Sequence, residues 1–508
     1  MSGGRFQDLS GGDGGVGSSG AGGAASGSRF HPAPRSDTGL EGRGVQPEGT
    51  GAGRRVLELR ERTGREGLRF SGGRVSDGSA GAARGRGVRA LFGGLPPRYW
   101  RVWAASACSN LSDGVYLVAA PLLAATLTRD PALVAGVSVA FGLPWMLFPL
   151  VSGALVDRFD RRTAMGVCNL VRAALVGVLG VSVLLGWVSL PLMYAIFFLL
   201  GANETFYDNA AQAIIPAVVR REQLEKANGR LFAAELVNNQ LAGPPLGGFL
   251  FGMAAALPFL LGAGAYAFAI AAIFSLKGSF RPEKEEGAPP TTILSEIGEG
   301  LRWLYGHRLL RLLAVMLGVF NMMFSAGAAI FVLFAQDILG LGSFGFGVLM
   351  TAGAVGGLIG SFTADKVVGI LGSGRALFGC ALLSAASSAV IATSASPYVV
   401  GAMLALEGIT VVTWNVITVS LRQAIIPGRL FGRVNSVYRL LGWGGIPLGA
   451  LLGGFLAREL GLTAPFWASA GVLALVAGAI FFFIGNRAIA DARAAAEPER
   501  FAGRDIGS

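Results

Sequence analysis

Charge is what this sequence has least of. Only 14% of its 508 residues are Asp, Glu, Lys or Arg, against about 25% in an ordinary soluble domain, so most of the chain is not written for water. Histidine and cysteine are scarcer still. His31 and His307 lie outside the apolar stretches and form no ligand-spaced pair. Cys108, Cys168 and Cys380 fall in separate apolar segments, where a free cysteine behaves as a small hydrophobe. Neither a disulfide framework nor a zinc site can be built from them, and no metal or other cofactor is expected. A G-x-x-x-x-G-K-[ST] phosphate loop is absent, which argues against a built-in ATPase. No nucleophile–histidine arrangement supports an enzyme. No apolar run follows a basic start, so a secretory signal peptide is not expected.

What is present is apolar: 52% of the residues are hydrophobic. From about residue 98, uncharged stretches of membrane-spanning length recur between short basic clusters. Spans are expected near 101–127, 132–156, 163–187, 190–218, 228–253, 257–278, 308–335, 343–368, 374–394, 397–425, 431–457 and 463–486. Twelve spans place both termini on one side. Alternate connections hold the basic residues: Arg158, Arg161 and Arg162; Arg220, Arg221 and Lys226; Lys277, Arg281, Lys284, Arg302 and Arg308; Lys366 and Arg375; Arg429 and Arg433. The other connections hold little basic charge beyond Arg129 and Arg458. Loops rich in Lys and Arg stay in the cytoplasm, so these loops and both termini are expected there. The net charge of +11 is thereby read as a topology signal, and no nucleic-acid partner is expected.

Residues 1–95 are a different material, Gly/Ser/Ala runs with scattered Arg, which cannot bury enough apolar surface to order themselves. This tail is read as a disordered cytoplasmic extension or the product of an upstream start codon; "RRVLELRERTGREGL" (54–68) is a candidate transient surface helix. Within the rest, 98–278 and 308–486 are expected to be six-helix bundles. Residues 279–307 join them as a cytoplasmic linker containing a short amphipathic helix, and 487–508 form a cytoplasmic tail.

The two bundles share text. QAIIP occurs at 212–216 and again at 423–427, GGFL at 247–250 and 453–456, and GALVDR (153–158) is answered by GSFTADK (360–366). The order and the nearly constant offset, 206 to 211 residues, argue for an internal duplication. Parallel six-helix repeats about a central cavity are a transporter architecture.

The stretch GALVDRFDRR resembles the loop between helices two and three of the major facilitator superfamily, with Gly153, Leu155, Asp157, Arg158, Arg161 and Arg162 on its G-x-L-x-D-R-x-x-R-R pattern. GPPLGG (243–248) looks like the fifth-helix signature of that superfamily's antiporting exporters. FYDNAAQAIIPAVVRREQLEKANG (206–229) is similar to the branch of siderophore and macrolide exporters described as transmembrane secretion effectors. Many drug–proton antiporters of the superfamily carry an arginine in helix four. Here that helix has acids and no arginine before Arg220, which favours the secretion-effector branch. The resemblance covers about 98–490 and implies an all-α fold of twelve transmembrane helices in two six-helix pseudo-repeats.

Three groups of residues are candidates for function. Gly153, Asp157, Arg158, Arg161, Arg162, Asp365 and Lys366 form a gating loop in which a carboxylate accepts from a helix N-terminus across the interface and arginines pair with acids or carbonyls; a plain topology signal is the alternative. Gly243, Pro244, Pro245, Gly247 and Gly248 interrupt span five as a hinge, or serve close packing. Acids inside spans are costly and so invite a functional reading: Asp113, Glu204, Asp208, Glu235 and Glu407, with Arg172 as the available basic partner. Glu204 and Asp208 share a helix face, and two acids that close in low dielectric make one of them able to load and release a proton near neutral pH. Charge neutralisation that merely holds the bundle is the alternative for Arg172. Trp145, Phe206, Tyr207, Phe324 and Trp414 are candidates to line the cavity, with simple packing as their other reading.

The expected function is a secondary exporter in the bacterial plasma (inner) membrane, moving a small amphipathic molecule such as a drug, macrolide or siderophore against proton entry by alternating access. An importer or facilitator of the same fold is the alternative; a membrane enzyme or scaffold has no supporting residues. Expected partners are the small-molecule substrate, protons and the lipid bilayer, with the chain acting as a monomer.

Overall fold

The computed structural model describes residues 94–148, 159–278, 280, 293–492 and 494. The first 93 residues, with the tail reading and the 54–68 helix, lie outside the described residues, as do Gly153, Asp157, Arg158 and nearly all of the tail past 492. What is described is almost entirely helical. In chain order the helices are α1 (Pro97–Leu127), α2 (Pro131–Leu147), α3 (Arg161–Leu184), α4 (Leu190–Val218), α5 (Leu224–Glu235), α6 (Gly243–Met253), α7 (Leu257–Phe274), α8 (Ile293–Gly306), α9 (Arg308–Ala328), α10 (Phe331–Asp337), α11 (Ser343–Leu371), α12 (Ser373–Thr393), α13 (Pro397–Ile425), α14 (Phe431–Leu460) and α15 (Ala464–Phe483).

Among the described residues, 9 helices are long and apolar enough to cross a membrane. The other three expected spans fall short for separate reasons. α2 runs into undescribed residues, α4 carries Asn203, Glu204, Asp208 and Asn209 at its centre, and the fifth span is broken between α5 and α6. Large apolar side chains such as Leu170, Phe268, Leu475 and Phe482 are exposed on the outside of the helices, as a surface solvated by lipid requires and one in water does not. This is a multi-pass membrane protein.

Local chemistry sets the helix ends. Asp130 caps α2 by accepting from the Ala132 N–H at 2.8 Å, ahead of Pro131, an N1 proline whose missing donor costs nothing there. Asp160 caps α3 through the Thr163 N–H at 3.1 Å, and its other oxygen accepts from the Phe280 N–H at 2.6 Å. The turn between α11 and α12 is the single residue Gly372, at φ 77°, a conformation costly to residues with a Cβ. Asn486 clamps that turn, accepting from the Gly374 N–H at 2.7 Å and donating to the Leu371 carbonyl at 3.0 Å.

The QAIIP copies do not end their helices alike. α4 continues through Pro216 to Val218 before the 3₁₀ turn Arg221–Gln223, whereas α13 stops at Ile425 and Pro427 leads straight into the turn Gly428–Leu430. The first copy thus has a longer exit, which lowers the offset from 211 at QAIIP to 207 where the next helices begin, at Leu224 and Phe431.

α1 to α7 pack chiefly on one another, as do α9 to α15; the main contacts between the two sets are α2 on α14 and α6 on α11. These contacts lie toward the end opposite the basic loops. There Leu122, Val134, Phe197 and Phe259 of the first set share one continuous core with Phe331, Phe334, Phe346 and Phe466 of the second. At the basic end the core divides, with Tyr99, Met165, Ile214 and Ile273 in one cluster and Leu310, Leu377, Leu421 and Val434 in another. Ion pairs reinforce the shared end: Arg129 with Asp337, and Arg458 with Asp130 at 3.5 Å; Arg129 also donates to Gln336 at 2.7 Å. On the second set, α8 packs along α14, where Glu299 pairs with Arg433.

Candidate functional site

At mid-depth in the first set, α3 carries Arg172 with no solvent exposure. Its guanidinium pairs with Glu204 of α4, donates through Nε to Asn203 Oδ1 at 3.2 Å, and stands 3.8 Å from an Asp113 oxygen of α1. It lies 4.3 Å from the Tyr207 ring centroid and 5.7 Å from that of Tyr266, whose hydroxyl donates to the other Asp113 oxygen. Two carboxylates and one guanidinium leave a buried cluster one negative charge in excess when both acids are ionised. One proton makes it neutral, and desolvation favours that state.

The pairing differs from the one expected on one face of α4. Arg172 joins Glu204 to Asp113, across three helices. Asp208 stands one turn further toward the basic end, within the field of Arg172 but with Glu235 of α5, Asp113 and Arg439 of α14 also as charged neighbours. Helix periodicity makes 204 and 208 neighbours, but only the packing of α1 against α3 and α4 shows which acid the arginine takes. Glu235 is exposed at the end of α5. Glu407 is not in the cluster. It sits on α13 beside Ser384 and Cys380 of α12, and its buried Oε2 has no hydrogen-bond partner among the described residues.

The fifth span breaks as its sequence requires. Pro244 and Pro245 have no N–H to offer the Gln240 and Leu241 carbonyls. The backbone widens into a π-helical stretch over Leu236–Ala242, and the Gly243 N–H reaches back to the Asn238 carbonyl. Beyond it, a Cβ on Gly247 would strike the Val115 carbonyl of α1, and one on Gly248 the Ser343 carbonyl of α11. The break and the close packing are therefore both present. Of the gating-loop residues within the described segments, Arg162 donates to the Leu276 carbonyl past the end of α7 at 2.5 Å, inside its own set, and Arg161 starts α3. Asp365 and Lys366 are exposed near the end of α11.

A second site is one the sequence reading missed. Between α9, α12, α13 and α14 lies a cavity of about 390 Å³ whose lining includes Phe320, Asn321, Trp414, Arg422, Arg439 and Trp443. The available signal was Arg439, a cation two turns inside an expected span. Among the aromatic candidates, Trp414 lines this cavity and Trp145 stacks on Trp443 at 4.2 Å between centroids. Tyr207 covers Arg172, Phe206 packs in the first set's core, and Phe324 is 58% exposed on α9, away from the lining.

A helical bundle crossing the membrane, with ionised groups buried between its helices, is a transporter's architecture, and solved structures share it. A nucleoside transporter, NupG, superposes with a TM-score of 0.63 at 11% identity over 76% of this chain and 100% of that one. A bacterial homologue of the iron transporter ferroportin in its inward-facing state gives 0.58 at 15% over 76% and 98%. These likenesses are of fold alone. The family model for transmembrane secretion effectors matches residues 97–504, and the chain belongs to that family of major facilitator transporters. Among relatives, the multidrug efflux pump Tap of Mycobacterium tuberculosis (strain ATCC 25618 / H37Rv) is 27% identical over 371 residues, 70% of this chain and 86% of Tap. An uncharacterized transporter of the same type, YfiS of Bacillus subtilis (strain 168), is 26% identical over 401 residues, 75% and 90%. The match to the mycobacterial transporter Rv0037c is 31% identical but spans 34% of that protein's length, 30% of this chain.

Proposed function

We propose that this chain is a proton-coupled exporter of a small amphipathic molecule, a transporter and not an enzyme. It would span the bacterial plasma membrane twelve times, as six-helix bundles at 98–278 and 308–486, with both termini and the basic loops in the cytoplasm. In that orientation the shared core and the Arg129 and Arg458 ion pairs seal the outer face, and the divided end opens inward. The observation that carries the reading is the Asp113–Arg172–Glu204 cluster, whose charge is balanced by one proton. Export against proton entry is supported by the family and by the efflux function named for Tap. The Gly153–Arg162 loop and the Asp365–Lys366 pair are proposed to latch the inner face in the opposite state, and the α5–α6 break to absorb the change between states.

Everted membrane vesicles acidified inside, with an acridine dye reporting the gradient, test this. A transported compound from an amphipathic panel is expected to release the trapped protons, and Asp113→Asn or Glu204→Gln to abolish the release. Compound uptake that proceeds equally with and without the gradient would overturn proton coupling. Gradient-driven movement of the compound out of the vesicles would overturn the direction.

A further inference from the structure

The cavity between α9, α12, α13 and α14 is lined by two cations and no acid. Arg422 is anchored within its own set: Nη1 donates to Asn435 Oδ1 at 2.9 Å, Nε approaches the Thr418 carbonyl at 3.4 Å, and the group lies 4.8 Å from the Tyr438 centroid. Arg439 is exposed toward the gap between the sets, where the acid that feels its charge is Asp208 on the far side. Glu407 stands behind the lining residues Ser384 and Cys380 and does not itself line the cavity. An arginine inside a span that no acid pairs among the described residues of its own set is an expensive placement. A bound anion would relieve it.

The rest of the lining specifies what the anion is attached to. Trp414 is 4% exposed, and its Nε1–H has no hydrogen-bond partner among the described residues. A buried donor without an acceptor is costly, so this indole is poised for an acceptor arriving in the cavity it lines. Phe320 leans against it at 4.6 Å between centroids, and Trp443 adds a second indole face on α14. The volume of about 390 Å³ falls in the range of small-molecule sites. The same lining thus carries aromatic side chains and guanidinium groups together.

We propose that this cavity is the cargo subsite, and that it selects a planar aromatic group bearing a carboxylate or similarly acidic oxygen substituent. Arg439 takes the anion, Trp414 donates to an oxygen, and Phe320 and Trp443 hold the ring. The proposal rests on the transporter reading for the word cargo. It separates the duties of the two sets: the first carries the proton on its acids, the second reads the molecule with cations and aromatic rings.

Equilibrium binding of three probes to the full chain in nanodiscs of zwitterionic lipid tests it: 2-naphthoate, its neutral isostere 2-naphthamide, and 2-naphthylmethylammonium. Naphthoate should bind at least about tenfold more tightly than naphthamide, the scale of one hydrogen bond to a charged group. Arg439→Gln should bring naphthoate down to naphthamide's affinity, Arg439→Lys should restore part of the difference, and Trp414→Phe should weaken naphthoate by a few fold. Equal binding of naphthoate and naphthamide by the unchanged protein, no binding of naphthoate, or a preference for the ammonium would each overturn the proposal. So would a naphthoate preference surviving in Arg439→Gln, which would leave Arg439 to Asp208 alone. Binding is read without a gradient, so failure here leaves the proton-coupled export reading to the vesicle experiment.

Discussion

Arg172 is held by carboxylates from two neighbouring helices, with a tyrosine ring on its face. Removing its charge leaves two buried acids uncompensated, a loss of about 3–5 kcal/mol where one partner of a buried pair is deleted. Arg172→Gln should therefore lower the melting temperature in detergent substantially, and adding Glu204→Gln should recover part of the loss. A double-variant coupling near zero would show that the two groups do not depend on each other. The acids were legible in the sequence because a charge within an apolar run stands out. Their partnership was not, because Asp113 and Glu204 are 91 positions apart and meet only through packing. The cations of the second cavity are not singled out by the sequence pattern: Arg422 lies near the end of one expected span, and Arg439 lies inside the next, only a few residues past the loop arginines Arg429 and Arg433.

At the scale of the element, the fifth span shows what a motif discloses and what it leaves out. GPPLGG marks a break, since two adjacent prolines remove two donors. That the break is repaired as a π-helical stretch, upstream of the prolines, depends on how α1 supports it. The adjacent glycines differ in partner and so in consequence. Gly247→Val drives a side chain into α1 within the same set, and poor expression or early melting is expected, on the scale of an overpacked core, about 1–3 kcal/mol or more. Gly248→Val meets α11 of the other set. It should leave each set folded and hold the shared end apart, read as increased labelling of Ser343→Cys by an impermeant maleimide. Labelling unchanged by Gly248→Val would mean that the α6–α11 contact is not what closes this end.

For the whole molecule, the sealing of one end rests on the apolar core far more than on its ion pairs. Arg129 and Asp337 are both about half exposed, and such pairs contribute about 0–1 kcal/mol. Arg129→Ala is expected to shift the distribution of spin-label distances across this end by no more than about fivefold in population. Replacing Phe334 of the shared core by Ala should shift it much further. A large effect of Arg129→Ala alone would reverse that ranking. The positions of the 9 long apolar helices were readable from apolar length. Which end is shut was not, because it is set by contacts between α2 and α14 and between α6 and α11, which no local pattern encodes.

The Arg129 pair also bears on how the chain is made. Asp337 follows Arg129 by 208 residues, so at about 5–20 residues per second the arginine waits about 10–40 s for its counter-charge to be synthesised. In the proposed orientation it is, through that interval, a bare cation on the side where the positive-inside rule does not want one, held there by the clusters flanking it in the chain. The pair that later fastens the finished protein thus cannot help to orient it. The sequence around α1 to α3 must win that contest unaided, before the second set exists.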